Sequence, residues 1–364
     1  MSDHTHKQSW QVIQGDTRDG LRSMPERSVH TCVTSPPYWG LRDYGVDGQI
    51  GLEESPEQYV AQLVEVFREV RRVLRDDGTI WVNLGDAYAG SWGAQSRGDF
   101  TPGTLEGASA AETCLSARQI KAHPKETGTG SLKHTPGLKG KDLIGLPWMV
   151  AFALRADGWY LRSDIIWHKP NPMPESVTDR PTKGHEYLFL LAKQPRYYYD
   201  AAAIAEASTT LDDRPPHGAG QASMPGMRAA SGTRLAKSGN ADRKPATERG
   251  CPNDGVCGNV PWEGTTRNRR TVWTIATQPF PEAHFATFPE ALVEPCIKAG
   301  SPVGGMVLDP FSGSGTTGVV ALKQGRNYVG CELNPEYVQM SRRRLDDVAP
   351  LLAMGEDVLG QGDG

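Results

Sequence analysis

Thr34-Ser35-Pro36-Pro37-Tyr38-Trp39-Gly40 is the stretch of this chain best equipped for chemistry. Ahead of it runs His30-Thr31-Cys32-Val33, short and β-branched, the pattern of a buried strand. Two successive prolines remove two backbone donors and stop that strand. A hydroxyl and carbonyl groups are left at its carboxyl end, where open α/β sheets bind their ligands. Such acceptors suit a substrate that donates hydrogen bonds, for example an exocyclic amine on a base, and Tyr38 or Trp39 could stack on the ring. Alone, the tetrapeptide would serve equally as a strand-to-loop turn around a buried aromatic.

A second motif changes that balance. Asp309-Pro-Phe-Ser-Gly-Ser-Gly-Thr-Thr317 follows the apolar run Met306-Val307-Leu308 and opens a helix. Phe311 would lie beside a ligand there. Gly313 and Gly315 would let the backbone approach it, with Ser314 between them. The helix start at Thr316 and Thr317 would offer free N–H groups to a carboxylate. Glu332, at the tip of the next strand, is placed to hold ribose hydroxyls, and Asn334 follows it. The pattern lacks the third glycine of a dinucleotide site and the lysine of a phosphate loop. It points instead to a nucleoside carrying an amino-acid carboxylate, and S-adenosyl-L-methionine fits. Asp16, after Gly15 at another strand tip, could reach the adenine; equally it could cap the helix that follows.

The elements that must position these residues alternate regularly. Strands are expected at 10–14, 30–34, 79–84, 160–167, 185–192, 306–309 and 327–331. Helices are expected at 17–24, 56–75, 143–156, 289–299, 316–324 and 335–347. Strand, helix, strand in succession implies a parallel sheet. The strands at 160–167 and 185–192 could pair antiparallel across the Pro-rich loop 170–181. Residues 350–364 read as a flexible tail.

Charge is unevenly spread over the 364 residues. The formal net charge is −4, yet 118–141 and 214–250 each carry +5, leaving −14 elsewhere. Basic loops on an acidic body suit a polyanion that touches only the loops. Six scattered cysteines imply no disulfide framework. Cys251 and Cys257 make at best half a metal site, so no metal is expected. No signal peptide or membrane span is evident, and a cytoplasmic protein is expected.

Taken together, Thr34–Tyr38 and Asp309–Thr317 resemble the amino-directed DNA methyltransferases, which methylate cytosine at N4 or adenine at N6. The catalytic motif precedes the cofactor motif with a long insert between, which resembles the β class, circularly permuted in motif order. Gly15-Asp16, Ile165-Ile166-Trp167-His168-Lys169-Pro170, His185-Glu186 and His284-Phe-Ala-Thr-Phe-Pro289 also match. The resemblance covers 10–200 and 270–347. It implies a Rossmann-like α/β fold with a mostly parallel, seven-stranded sheet and one antiparallel strand. The catalytic half would occupy 1–199, with a DNA-facing loop at 87–141. A target-recognition insert would span 200–270, and the cofactor-binding half 271–349.

The resemblance also assigns roles. Ser35, Pro36, Pro37 and Tyr38 would act on the base. Asp16, Thr34, Thr287, Phe288, Asp309, Phe311, Gly313, Ser314, Gly315, Thr316, Thr317, Glu332 and Asn334 would hold S-adenosyl-L-methionine. Trp39, Arg267, Arg269 and Arg270 would face double-stranded DNA. Serine at the first motif position leans toward cytosine N4, with adenine N6 as the alternative. An RNA or small-molecule methylase, a non-catalytic DNA-binding module on the same fold, and a monomer or a homodimer all stay open.

Overall fold

A computed structural model describes residues 8–40, 45–89, 137–207, 266–278 and 288–359, with side chains through residue 348. Cys114, Cys251, Cys257, Thr287, most of the 87–141 loop and most of the 200–270 insert lie outside the described residues. Two compact units divide the chain: Ala205–Arg269, and the remainder.

The larger unit is built on one sheet. In chain order its strands are β1 (Trp10–Gln14), β2 (Val29–Thr34), β3 (Leu74–Leu84), β4 (Tyr160–His168), β5 (His185–Ala192), β8 (Val272–Thr274), β9 (Met306–Asp309) and β10 (Asn327–Glu332). The smaller unit contributes β6 (Glu206–Ala207) and β7 (Thr266–Arg267), which pair antiparallel with each other. In space the sheet runs β1-β10-β9-β2-β3-β5-β4-β8. Only β5 runs against its neighbours; the other pairings are parallel. Among the described residues the sheet thus has eight strands, not seven. The extra one is β8, whose three residues add to β4 at the edge through Ile166↔Val272 to His168↔Thr274.

Strands β2 and β9 are neighbours although their sequences lie far apart. From β2 the chain moves one way through a helix to β3, and from β9 the other way to β10. The direction of winding therefore reverses between them, which opens a crevice at their carboxyl ends.

Among the described residues six helices cover the sheet: α1 (Thr17–Arg22), α2 (Pro56–Val73), α3 (Leu146–Ala156), α4 (Glu290–Gly300), α5 (Thr316–Lys323) and α6 (Pro335–Leu359). Alternation along the strands supplies two cores. Ile80, Val82 and Leu84 of β3 join α2 and α3 on one face. Trp81 points the other way, into a core with α4 and α5. Coverage on both faces explains why these strands read as unbroken apolar runs.

Three boundaries differ from the sequence expectation. Helix α2 starts as its signals dictate: Ser55 caps the Gln58 N–H and Pro56 sits in the first turn. It ends at Val73, however, because fully buried Leu74 turns extended and pairs with Val29. Helix α3 begins at Leu146, after Gly145 in the left-handed region (φ 80°). Leu143 is exposed and bridges to Tyr88 instead. Helix α6 continues through Leu359 and so takes up most of the expected tail; Leu, Ala, Met and Glu, all good helix formers, dominate 351–358.

Leu63 on α2 is fully buried against the first core. Leu63→Ala is expected to cost about 2–5 kcal/mol through lost contacts and the cavity left behind. Urea unfolding will register it as a lower midpoint at unchanged slope.

Candidate active site

Parallel strands place their carboxyl tips on one side, so Asp16, Thr34, Asp309 and Glu332 arrive together. Asp16 caps α1 by accepting from the Arg18 N–H at 2.7 Å. The Arg18 guanidinium grips the same carboxylate at 3.0 and 2.6 Å and lowers its pKa. Capping and cleft-facing, weighed as alternatives from the sequence, coexist: Asp16 also lines the cleft.

Glu332 braces the glycine loop from the tip of β10. Its carboxylate accepts from the Gly313 N–H at 2.7 Å and the Asn334 N–H at 2.8 Å. Burial raises its pKa against these two bonds. Asn334 in turn accepts from the Glu336 N–H and so opens α6. Gly315 sits at φ 80°, and a Cβ there would lie 2.8 Å from the Ser341 side chain. Only glycine lets α5 start this close to α6.

On the opposite wall, the prolines carry Ser35 and Tyr38 out of β2. The Ser35 hydroxyl donates to Asn83 Oδ1 at 3.3 Å. The Pro37 carbonyl accepts from the Tyr59 hydroxyl at 2.9 Å. The Tyr38 hydroxyl donates to Glu186 Oε2 at 2.7 Å and lies 3.2 Å from Asn83 Oδ1. Its ring lies against Gly85, where a Cβ would come within 2.6 Å. Burial, then the Glu186 charge, push the phenol pKa well up, so Tyr38 stays protonated.

Between these walls lies a cleft of about 220 Å³. That is far more than a lone ion or a single water needs. Ser35, Pro36, Pro37 and Tyr38 line one side. Phe288, Phe311, Gly313, Ser314, Thr316, Glu332 and Asn334 line the other. Among the described residues it presents the carboxylates of Asp16 and Glu332 and no basic side chain. That set favours a ligand with hydroxyls and a positive charge over a pyrophosphate.

Several expected contacts fall elsewhere. Asp309 is 1% exposed and does not line the cleft. Its oxygens accept from Thr34 Oγ1 at 2.7 Å, Thr317 Oγ1 at 2.8 Å and the Phe311 N–H at 3.0 Å. Thr34 and Thr317 are spent on that carboxylate, and none of Thr34, Gly315 and Thr317 lines the cleft. Trp39 is 3% exposed, donates its indole N–H to the Glu53 carbonyl and packs in the core, so it is no wall of a base pocket. Arg267 is paired with Glu206 at 2.9 Å. The Arg270 carbonyl accepts from the Trp273 indole, in the larger unit, whereas Arg269 belongs to the smaller one.

Asn83 is the functional candidate that residue patterns passed over, while Lys169 and Glu186 lie in segments that match the family but carried no site role. Asn83 sits inside an apolar strand, a signal in itself, since a buried amide needs partners. Lys169 and Glu186 are brought together by the β4–β5 register, Trp167↔Glu186.

A doubly wound sheet with an acceptor-rich turn and a nucleoside-sized cleft meeting at its switch point defines a group-transfer enzyme of the Rossmann-like class. Residues 29–343 match the family model for DNA methylases. The chain is 45% identical over 336 residues to the Type II methyltransferase M.Cfr9I of Citrobacter freundii, across 92% of this chain and 87% of that one. It is 43% identical over 339 residues to M.SmaI of Serratia marcescens, across 93% and 91%. Among solved structures it resembles PvuII DNA methyltransferase (cytosine-N4-specific), with a TM-score of 0.54 and 18% identity over 94% of this chain and 92% of that one, a likeness of fold. The chain belongs to the DNA methylase family. It is accordingly a methyltransferase, and the family's methyl donor is S-adenosyl-L-methionine.

Burial lifts the Asp309 carboxyl to about 6, against the bonds from Thr34 and Thr317. The fold therefore favours its protonated form. That contribution is complete below the ordinary 3.8 and is lost as pH rises through 6. Asp309→Asn cannot ionise. Between pH 4 and pH 7 the wild type is expected to lose roughly 2 kcal/mol relative to this variant. Urea titrations of both proteins across that range check the slope.

Proposed function

We propose that this protein is a site-specific DNA methyltransferase acting on the exocyclic amine of a base turned out of double-stranded DNA, with cytosine N4 as the target. The observation that carries the reading is the single cleft shared by Ser35–Tyr38 and the glycine loop. The base must leave the stack, because neither wall could reach an amine inside a duplex. The relatives' name, Type II methyltransferase, supports DNA as the substrate and a partnership with a restriction enzyme.

S-adenosyl-L-methionine, when bound, supplies an electrophilic methyl on a sulfonium. The residues lining the cleft fit it. Asp16 and Glu332 would take adenosine donors, Phe288 and Phe311 would flank the ligand, and the backbone of Gly313, Ser314 and Thr316 would face the carboxylate. Asp309, Thr34 and Thr317 would hold that loop from behind. Thr287 joins the cofactor set on the family resemblance.

On the base side, Ser35 Oγ and the Pro36 carbonyl would accept the two amine N–H bonds. Holding both turns the nitrogen lone pair toward the methyl. Tyr38, neutral and fixed, would lie against the ring. Positioning and oriented dipoles would carry the rate, with no covalent enzyme intermediate. A serine hydroxyl rather than a carboxylate at position 35 supports cytosine over adenine. The insert 200–270 and the basic loop 87–141 would contact DNA, with Arg267, Arg269 and Arg270 near its phosphates. Among the described residues no helix is long and apolar enough to cross a membrane. For the bacterial relatives such a reaction would take place in the cytoplasm.

Labelled methyl transfer to unmethylated bacterial DNA, followed by nucleoside mass spectrometry, is expected to yield N4-methylcytosine. N6-methyladenine would overturn the base assignment, and no methylated nucleoside would overturn the activity. Ser35→Ala is expected to lower turnover about 10²-fold while cofactor binding persists. Native turnover in that variant would refute the assignment of Ser35.

A further inference from the structure

We infer that Asn83, Glu186 and Lys169 are positioning residues that fix the direction of the Ser35 hydrogen bond, so that the serine can only accept from the target amine. This rests on methyl transfer at Ser35 as proposed above.

Asn83 is 3% exposed, at the carboxyl end of β3. Its amide N–H bonds go to Glu186 Oε2 and to the Tyr187 carbonyl, both at 3.2 Å. Neither partner can donate, so the NH₂ must face them. Oδ1 is therefore turned to Ser35 and Tyr38. The Ser35 hydroxyl meets an acceptor and donates to it, while the one Tyr38 proton goes to Glu186, its nearer acceptor. With the Ser35 proton spent in this way, its lone pairs are left for the amine.

Glu186 enforces this polarity because a carboxylate only accepts. Lys169 pairs with its other oxygen, and the two side chains are 18% and 15% exposed. The ammonium also lies 4.2 Å from the centre of the Trp167 ring, which holds it in place. Each step follows from the previous one: cation, carboxylate, amide, hydroxyl. An amide does not readily pass a proton on, so the arrangement is a fixed set of dipoles rather than a proton path.

Glu186→Gln is the test. Its new amide could donate toward Asn83 and release the constraint on Oδ1. Turnover on unmethylated bacterial DNA is expected to fall about 10²-fold, with S-adenosyl-L-methionine affinity by calorimetry unchanged. Adding Asn83→Asp to that variant puts an acceptor-only group back against Ser35. It also returns one negative charge to the cluster. The double variant is expected to regain at least about tenfold of the turnover. A Glu186→Gln enzyme with native turnover, or a double variant without recovery, would overturn the inference. Should Glu186→Gln not fold, Asn83→Leu keeps the ion pair. It is expected to lose turnover with cofactor binding intact, and full turnover would overturn the inference equally. An inactive wild type that binds cofactor would instead defeat the reading of the activity.

Discussion

One buried carboxylate joins the two halves of this enzyme. Asp309 accepts hydroxyl bonds from Thr34, at the end of the strand that delivers Ser35, and from Thr317, at the start of the helix behind the glycine loop. Thr317 reaches further, to the Val33 carbonyl. The motifs lie 275 residues apart in sequence, as Thr34 and Asp309 show, yet these bonds set their separation. Desolvating the carboxyl carries a cost, visible in its raised pKa, and the hydroxyl bonds offset part of it. Strand pairing between β2 and β9 fixes the tips only as backbone. The carboxylate fixes the turns beyond them.

The order of elements was legible because both physical signals were strong. Val60, Leu63, Phe67, Val70 and Val73 repeat at helical spacing along α2, and the apolar runs at 79–84 and 306–309 have the length of strands. Local signals failed where tertiary pairing decides. Nothing near Leu74 says that a helix must yield to a strand there; the partner is Val29. Three residues of β8 carry too little pattern to be read as a strand at all. For the site, residue types placed Ser35, Tyr38, Phe311 and Glu332 on the cleft. Asp309 and Trp39 lie off the cleft, and one sequence cannot tell a residue that faces a cleft from one that braces it.

Strand β5 illustrates the same limit from the other side. Because it runs against its neighbours, its first residues lie where the parallel strands end. Glu186 reads as a strand start, yet the register Leu84↔Tyr187 brings it beside Asn83 and Tyr38. A parallel strand there would have presented its last residues instead. The lone antiparallel strand thus delivers a charge to the site from a segment whose own pattern is merely apolar.

The short pair β6 and β7 has a consequence for how such enzymes diversify. Glu206 faces Arg267 across it, in both strand register and ion pair, so the chain leaves and returns at one point. Closing a longer excursion costs only about 0.6 kcal/mol for each doubling of its length. The stretch between these two residues can therefore be lengthened, shortened or replaced wholesale with little strain on the sheet. The length of this stretch is thus free to change while the strands that carry the site stay as they are.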